Sequence, residues 1–179
     1  AAAARLDTLQ VYDRLRVGVL STGAEIVPVG GSAAGHQIYD ANRPMLLDMM
    51  RQWGFESVDL GHVGDDRSQL RETLDAAASR VDAIFTSGGA SAGDEDHVSA
   101  ILGAEGNVQT WRIAVKPGRP LALALWRGVP VFGLPGNPVA AFVCTLVFGY
   151  PALCALSGQD WPERRGFDVP AGFAKSKKA

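Results

Sequence analysis

The chain alternates between short, continuous apolar runs and longer stretches in which apolar residues recur every three or four positions. Short runs rich in β-branched residues are typical of buried strands, and helical spacing is typical of helices that cover a sheet. The apolar runs lie at residues 16–20, 81–87 and 129–134, and residues 58–63 are also strand-like. Strands that alternate with helices in this way predict an α/β fold with three layers, a mostly parallel sheet with helices on both faces.

Helix boundaries can be read between these runs. Asn42-Arg43-Pro44 is a good helix start, because Asn42 is a candidate cap and proline is favoured in the first turn. Gly54 is expected to end that helix. Asp65-Asp66 precedes a second amphipathic stretch and could cap it, and residues 97–102 predict a short third helix.

The second half of the chain predicts two more strands and one strongly apolar helix. Residues 108–115 and 121–125 are strand candidates joined by the stiff turn Lys116–Pro120. Residues 138–156 carry no charge, and this run approaches the ~20 residues that span a bilayer. Gly149 and Pro151 interrupt it, so a buried core helix or a subunit-interface helix is favoured over a membrane span.

Composition agrees with one globular domain that has a sizeable core. The chain has 179 residues, 47% of them apolar, and a formal net charge of −2, which gives no reason to expect nucleic acid or an anionic membrane as a partner. We expect an N-terminal flank at residues 1–15, an α/β domain at 16–157 and a polar linker or tail at 158–179 toward a missing domain.

Cysteine usage predicts a reducing compartment. Cys144 and Cys154 lie in one apolar run, and ten residues of helix would separate them by ~15 Å, too far for a disulfide bond. Buried thiols without a bridge are typical of the cytoplasm. No signal peptide is evident, because residues 1–4 are alanines without a basic start. We therefore expect a cytoplasmic protein.

The loops after the predicted strands carry the unusual residues. In open α/β sheets, ligands bind beyond the carboxyl ends of the strands. Three such loops would meet there, at residues 21–23, 87–93 and 134–137, and Lys116–Arg119 could join them. The order of elements therefore predicts one shared pocket at this edge of the sheet.

The most informative loop follows the strand at residues 81–87. Its small residues would let backbone N–H groups approach an anion, and the candidate cradle comprises Ser87, Gly88, Gly89, Ser91 and Gly93. Asp94, Glu95 and Asp96 come next and would repel a bare anion unless a divalent cation sat between them. The segment suggests a phosphorylated ligand with magnesium, although a flexible connection and a solvated helix start are the simpler alternatives.

Two proline-rich turns add candidate binding groups. Lys116 and Arg119 form a cationic pair suited to phosphate or another oxyanion, unless their turn is only a solvated surface feature. In Pro135-Gly136-Asn137-Pro138, Asn137 either caps the next helix or contacts a ligand, and the two roles can coexist. Glu25 follows Thr22 and Gly23 and could be only a surface acid. Asp40 and Asn42 could serve only to cap a helix.

These motifs together resemble the molybdopterin molybdenumtransferase (molybdenum insertase) family, which includes the E domain of gephyrin. Residues 21–25 are similar to that family's S-T-G-x-E-L signature, and residues 35–42 are similar to its G-x-I-x-D-S-N segment. Residues 63–66, 87–96, 116–120 and 134–138 match further motifs in the same order. The resemblance covers residues 16–157, the central molybdopterin-binding domain, and implies the fold shared by molybdopterin-binding proteins such as MoaB and Mog.

The resemblance implies a transferase of molybdenum cofactor biosynthesis. In that family molybdate is inserted into adenylylated molybdopterin with magnesium, and AMP is released. Asp96, Lys116, Arg119 and Glu25 are the implied catalytic residues, with Asp96 and Glu25 as metal ligands. The implied pterin-binding residues are Thr22, Gly23, Asp40, Asn42, Ser87, Gly88, Gly89, Ser91, Gly93, Pro135, Gly136 and Asn137.

Partners follow from the same resemblance. It implies a homo-oligomer, with molybdopterin adenylyltransferase or molybdoenzymes as further candidate partners. Ala24 and Ala41 replace polar residues of many relatives, and relatives carry extra domains on both sides. Molybdopterin adenylyltransferase activity on the same fold, and a pterin-binding scaffold without turnover, are the alternatives.

Overall fold

The computed structural model describes residues 7–88, 97–112, 120–163, 166–170 and 172, with the backbone alone for 109–112 and 120. Eight strands lie in the described part of the chain. They are β1 (Arg16–Thr22), β2 (Ile26–Val27), β3 (Ile38–Tyr39), β4 (Glu56–Val63), β5 (Ala83–Ser87), β6 (Asn107–Arg112), β7 (Pro120–Trp126) and β8 (Val129–Leu134). The described helices are α1 (Asn42–Gln52), α2 (Arg67–Ala78), α3 (His97–Glu105), α4 (Pro138–Cys144) and α5 (Tyr150–Leu156), and a π-helical turn, Thr145–Gly149, joins the last two.

Six strands form one sheet in the order β4-β1-β5-β8-β7-β6. The first four run parallel to one another, whereas β7 is antiparallel to both β8 and β6. The prediction of a mostly parallel sheet is therefore confirmed. β2 and β3 form a separate two-stranded parallel sheet, which the sequence pattern did not predict because two residues are too few to show a period.

Helices cover both faces of the sheet, as predicted. On one face α1, α4 and α5 pack against the sheet around a core that includes Phe85 and Phe132, whose rings stack with centroids 4.5 Å apart. On the other face α2 and α3 pack around a core that includes Leu74 and Trp126. The inner parallel strands β1, β5 and β8 are thus buried on both sides, which explains their apolar runs, whereas the edge strand β4 is only partly buried.

One predicted helix cap is wrong and one is confirmed. Ala41 occupies the N-cap position of α1, and Asn42 is the first helical residue, so Asn42 is not the cap. Asp66 caps α2 by accepting hydrogen bonds from the N–H groups of Ser68 and Gln69, whereas Asp65 accepts one from the N–H of Ala24. The helix predicted at 97–102 extends to Glu105.

The apolar segment Pro138–Leu156 packs against the sheet along one side. By length and composition it is the one helix in the described residues that could cross a membrane, and 44% of its most apolar window is buried within the structure. A Cβ placed on Gly149 would lie 2.7 Å from the Phe85 ring, so glycine permits the close approach of helix and sheet. Cys144 and Cys154 are buried on this segment and form no disulfide bond, as predicted.

Candidate functional site

A cavity of about 150 Å³ lies at the carboxyl ends of β1 and β5, beside the turn that follows β8. The strand ends therefore bring together loops that are far apart in the sequence. The cavity is lined by Ser21, Glu25, Ile26, Ile38, Tyr39, Asp40, Ala41, Asn42, Ser87, Gly88, Gly136 and Pro138. The buried residues Ser21, Asp40 and Ser87 form its floor, and the exposed residues Ile38 and Tyr39 form its mouth.

The side-chain amide of Asn42 connects three loops at this cavity. Its nitrogen donates to the hydroxyl oxygen of Ser87 at 2.7 Å and to the carbonyl oxygen of Gly136 at 2.8 Å. A carbonyl oxygen can only accept, so the shared atom must be the amide nitrogen, which fixes the orientation of the side chain. Its Oδ1 is buried and has no hydrogen-bond partner among the described residues. Asn42 therefore holds the end of β5 against the turn after β8.

Asp40 connects the end of β1 to α1. Its carboxylate accepts a 2.6 Å hydrogen bond from the hydroxyl of Ser21, and it accepts from both the backbone N–H and Nε of Arg43. Nη1 of Arg43 also donates to both carboxylate oxygens of Asp59 at 2.7 Å. Arg43 thus bridges two carboxylates, one buried and one half exposed.

This network keeps Asp40 ionised. Burial alone would raise the pKa of its carboxyl group, but the hydrogen bonds from Ser21 and Arg43, together with the charge of Arg43, lower the pKa below its ordinary value. A carboxylate that is ionised accepts hydrogen bonds and donates none. The proton in the Ser21–Asp40 contact therefore belongs to Ser21.

Glycine is required where β5 ends. Gly88 has φ +91°, and a Cβ there would clash with the carbonyl oxygen of Thr22 on the neighbouring strand. Thr22 itself lies 3.5 Å from the carbonyl oxygen of Ser87, at the limit of a weak hydrogen bond. The loop after β1 is held from the other side, because the Gly23 N–H donates to Val63 and His62 donates to the Gly23 carbonyl oxygen.

The described residues do not by themselves make a magnesium site. No group of three potential ligands occurs among them, and of the two carboxylates at the cavity Asp40 is already engaged by Ser21 and Arg43. Glu25 remains as one exposed carboxylate at the rim. Magnesium usually keeps several waters and binds one or two carboxylates. The predicted second ligand, Asp96, lies outside the described residues.

The structure brings six of the predicted site residues to the cavity: Glu25, Asp40, Asn42, Ser87, Gly88 and Gly136. Thr22, Gly23, Pro135 and Asn137 lie in the same loops but do not line it. Asn137 accepts a 3.1 Å hydrogen bond from the N–H of Ala140 and so caps α4. Gly89, Ser91, Gly93, Asp96, Lys116 and Arg119 lie outside the described residues.

Those remaining residues belong to two segments, 89–96 and 113–119, whose flanking residues the structure describes. Gly88, where the segment at 89–96 begins, lines the cavity. Arg112 pairs with Pro120, and Ala122 pairs with Gly133 at the end of β8. Since β7 is antiparallel to β8, the segment at 113–119 starts and finishes at the edge of the sheet that holds the cavity.

Sequence reasoning gave no individual role to four residues of this site. Ser21 lay inside a quoted motif, but its bond to Asp40 depends on how the loop before α1 folds back over β1. Arg43 lies between Asn42 and Pro44, which were interpreted as a helix start, and its partner Asp59 is on β4. Ile38 and Tyr39 belong to a strand too short to predict. An arginine directly after a helix start, three residues after Asp40, was the one available signal.

Comparisons with known proteins agree with this geometry. Residues 18–155 match the family model described as "Probable molybdopterin binding domain". The chain is similar to a molybdopterin molybdenumtransferase of Haemophilus influenzae, with 39% identity over 164 residues, which are 91% of this chain and 41% of the relative. The chain thus spans about two fifths of the length of that relative.

Solved structures show the same fold. The molybdopterin biosynthesis MoeA protein of Pyrococcus horikoshii superposes with a TM-score of 0.74 at 33% identity, over 82% of this chain and 36% of that one. The molybdopterin biosynthesis enzyme MoaB of Thermus thermophilus superposes with a TM-score of 0.59 at 18% identity, over 83% of this chain and 99% of that one, which is a likeness of fold alone. The resemblance to molybdopterin molybdenumtransferases is confirmed, and because the family model covers most of the sequence, the chain belongs to the molybdopterin-binding domain family.

Proposed function

We propose that this domain binds molybdopterin, a phosphorylated pterin, in the cavity at the strand ends. The observation that carries the proposal is the meeting of three strand-end loops at one cavity, held in shape by Asn42 and Asp40. Phosphorylated ligands are commonly bound by backbone and hydroxyl groups at this edge of an α/β sheet. The family model that matches residues 18–155 supports the same ligand.

We further propose the reaction in which the domain takes part. As part of a longer protein, it would help to insert molybdate into adenylylated molybdopterin, with release of AMP. The support is the similarity to a molybdopterin molybdenumtransferase, of which this chain covers 41%. Such chemistry relies on positioning and on balancing the charge of two anions held close together.

Lys116 and Arg119 are the proposed source of that positive charge. Their segment is bounded by Arg112 and Pro120, which pair with each other at the edge of the sheet where the cavity lies. Among the described residues Arg43 also lies beside the cavity, but Asp40 and Asp59 already neutralise it. A cationic contribution from residues 113–119 would therefore be needed to hold two anionic substrates.

We also propose that magnesium binds at the rim of the cavity. Glu25 would supply one carboxylate from the cavity rim, and Asp96 would supply the second. The metal would balance ligand charge. No step of the reaction is assigned to it, because the described residues alone do not complete its coordination.

The proposed ligand can be tested with a cavity-filling substitution. Gly136 has an ordinary φ and space for a Cβ, so Gly136→Val should fill part of the cavity without straining the backbone. Purified domain would be mixed with molybdopterin and passed over a gel-filtration column, and bound pterin would be measured by its fluorescence. Wild type should retain pterin, and Gly136→Val should lose most of it.

The matched control is Gly64→Val, since Gly64 also has an ordinary φ and open space around it, away from the cavity. It should retain pterin as wild type does. Failure of the wild-type domain to retain pterin would refute the proposal. Formation of adenylylated pterin on addition of ATP would instead assign the adenylyltransferase reaction.

Self-association and location complete the proposal. We propose a homo-oligomer in which a second copy covers the exposed apolar side chains Val139, Phe142 and Leu156 of the last helical segment. Light scattering should give a mass above the 18.9 kDa of one chain, and Phe142→Glu should reduce it. Cys144 and Cys154 form no disulfide bond, which supports a reducing, cytoplasmic location that fractionation of the native cells would test.

A further inference from the structure

Ser21 and Ser87 stand side by side in the cavity but have opposite hydrogen-bonding roles. They are direct register partners on the neighbouring parallel strands β1 and β5. Adjacent strands lie about 4.8 Å apart, and register partners point to the same face of the sheet. Two hydroxyl groups of the same kind are thus presented next to each other at the floor of the cavity.

The hydroxyl of Ser21 has already used its proton. It donates to the carboxylate of Asp40 at 2.6 Å, and Arg43 keeps that carboxylate ionised. What Ser21 can offer a ligand is therefore its oxygen lone pairs. Glu25 also lines the cavity, and its carboxylate, a second acceptor group, lies against Gly23 at the end of the strand that carries Ser21. This side accepts hydrogen bonds and carries negative charge.

The hydroxyl of Ser87 still has its proton. Its oxygen accepts from the Asn42 amide nitrogen at 2.7 Å, and no acceptor for its proton occurs in the parts of the chain that the structure describes. The orientation of Asn42 is fixed by the Gly136 carbonyl oxygen, so this assignment cannot be reversed by flipping the amide. Ser87 therefore offers a ligand a hydrogen-bond donor.

We propose that this asymmetry orients the ligand, an inference that rests on the proposed function. A pterin ring carries an edge of N–H and amino donors, whereas a phosphate group carries acceptors and negative charge. The donor edge of the ring faces Ser21, Asp40 and Glu25, and the anionic group faces Ser87 and the backbone of Gly88. Without magnesium, the reverse orientation would place negative charge against two carboxylates and leave Ser87 without an acceptor, so the orientation is tested in magnesium-free buffer.

Two probes separate the two ends of the ligand. Neopterin has the pterin ring without phosphate, and inorganic phosphate has the anion without the ring. Binding of each to the domain would be followed by chemical-shift titration. Ser87→Ala should raise the dissociation constant for phosphate about tenfold and leave neopterin binding unchanged, since one charge-assisted hydrogen bond is lost.

Glu25→Gln gives the complementary test on an exposed side chain whose replacement spares the core. It should weaken neopterin binding several-fold and should not weaken phosphate binding. Ser21→Ala should do the same, provided that its unfolding midpoint in urea stays near that of wild type. Ser79→Ala, at the end of α2, should change neither.

The outcomes are distinct. Wild-type binding of both probes with the opposite pattern, in which Ser87→Ala weakens neopterin, would overturn the orientation and leave the proposed function standing. Equal weakening of both probes by both variants would also overturn it. Wild type that binds neither probe would refute the orientation and the pterin-binding function together.

Discussion

The side-chain amide of Asn42 donates a 2.8 Å hydrogen bond to the carbonyl oxygen of Gly136, a residue that follows it by 94 positions. The same nitrogen donates to Ser87, so one side chain at the start of α1 holds two strand-end loops. Asn42 is buried, and these bonds exchange little with water. This amide group therefore holds one side of the cavity in shape, as Asp40 holds the other.

Asn42→Asp hardly changes the size of the side chain, but it should destabilise the fold. The new carboxylate oxygen would face the Gly136 carbonyl oxygen, an acceptor against an acceptor in a buried position. We expect a loss of about 2–4 kcal/mol in the free energy of unfolding at pH 7, from an unsatisfied group and a buried charge. Urea unfolding would measure it. Gln52→Ala, an exposed change at the end of the same helix, should cost under about 0.5 kcal/mol, and equal losses in both variants would contradict this account.

Arg43→Ala should destabilise the domain through the charges it leaves behind. Asp40, whose side chain is only 2% exposed, would lose its cationic partner. Removing one member of a buried ion pair costs about 3–5 kcal/mol, and the 16% exposure of Arg43 places the expected loss near the lower end. Arg51→Ala removes an exposed arginine from the same helix and should cost about 0.5 kcal/mol or less. Calorimetric melting of the two variants would compare them directly.

The pH dependence of stability should report the ionisation of Asp40. Its pKa in the folded domain is lowered below the ordinary carboxyl value of 3.8, through hydrogen bonds from Ser21 and Arg43 that outweigh the effect of burial. A lowered pKa gives stability that is complete above the unfolded value and is lost as the pH falls through the folded value. Urea unfolding between pH 7 and pH 2.5 would measure the free energy of unfolding of wild type and of Asp40→Asn. The difference between the two free energies should become smaller below about pH 4. Parallel curves over this range would show that Asp40 contributes nothing through its charge.

Gly88→Ala should strain the end of β5. The residue has φ +91°, where side chains are disfavoured, and the added Cβ would clash with the Thr22 carbonyl oxygen. We expect a loss of about 2–3 kcal/mol, together with weaker pterin retention. Gly64→Ala has open space and an ordinary φ, so it should change stability by less than about 1 kcal/mol. Similar thermal midpoints for the two variants would argue against a strained strand end.

Asp96→Ala tests the metal part of the proposal. If Asp96 binds magnesium, the variant should lose magnesium binding in isothermal titration and should abolish molybdate insertion in the longer protein. Its melting temperature should barely change, since a ligand-binding carboxylate is not part of the core. A large loss of stability with insertion intact would show that Asp96 is structural. Glu25→Gln should weaken magnesium binding in the same titration.

Much of the fold could be predicted because buried strands have recognisable apolar sequences. β1, β5 and β8 are covered on both faces, so their sequences are apolar runs of the right length, whereas the edge strand β4 was recognised from its β-branched residues Val58 and Val63. The order of strands and helices then implied a pocket at one edge of the sheet. β2 and β3 could not be predicted, because each has two residues and is held by pairing with the other.

The site was harder to predict because its side chains act through partners distant in sequence. An asparagine at a helix start is a capping signal, and the same signal appears whether it caps or reaches across to Ser87. Arg43 drew no attention because Asp59 comes beside it only when β4 pairs with β1. The cap at Asn137 was predictable, since it depends only on the next three residues.

The reversed direction of β7 gives this domain an exchangeable module. Arg112 and Pro120 are paired backbone neighbours, so the seven residues between them could be replaced without moving either strand end. Replacing residues 113–119 with the corresponding segment of a relative that prefers a different oxyanion should change the oxyanion selectivity. The midpoint of thermal unfolding should stay unchanged. Evolution could have tuned such domains the same way, by rewriting a few positions at the rim and sparing the packed interior.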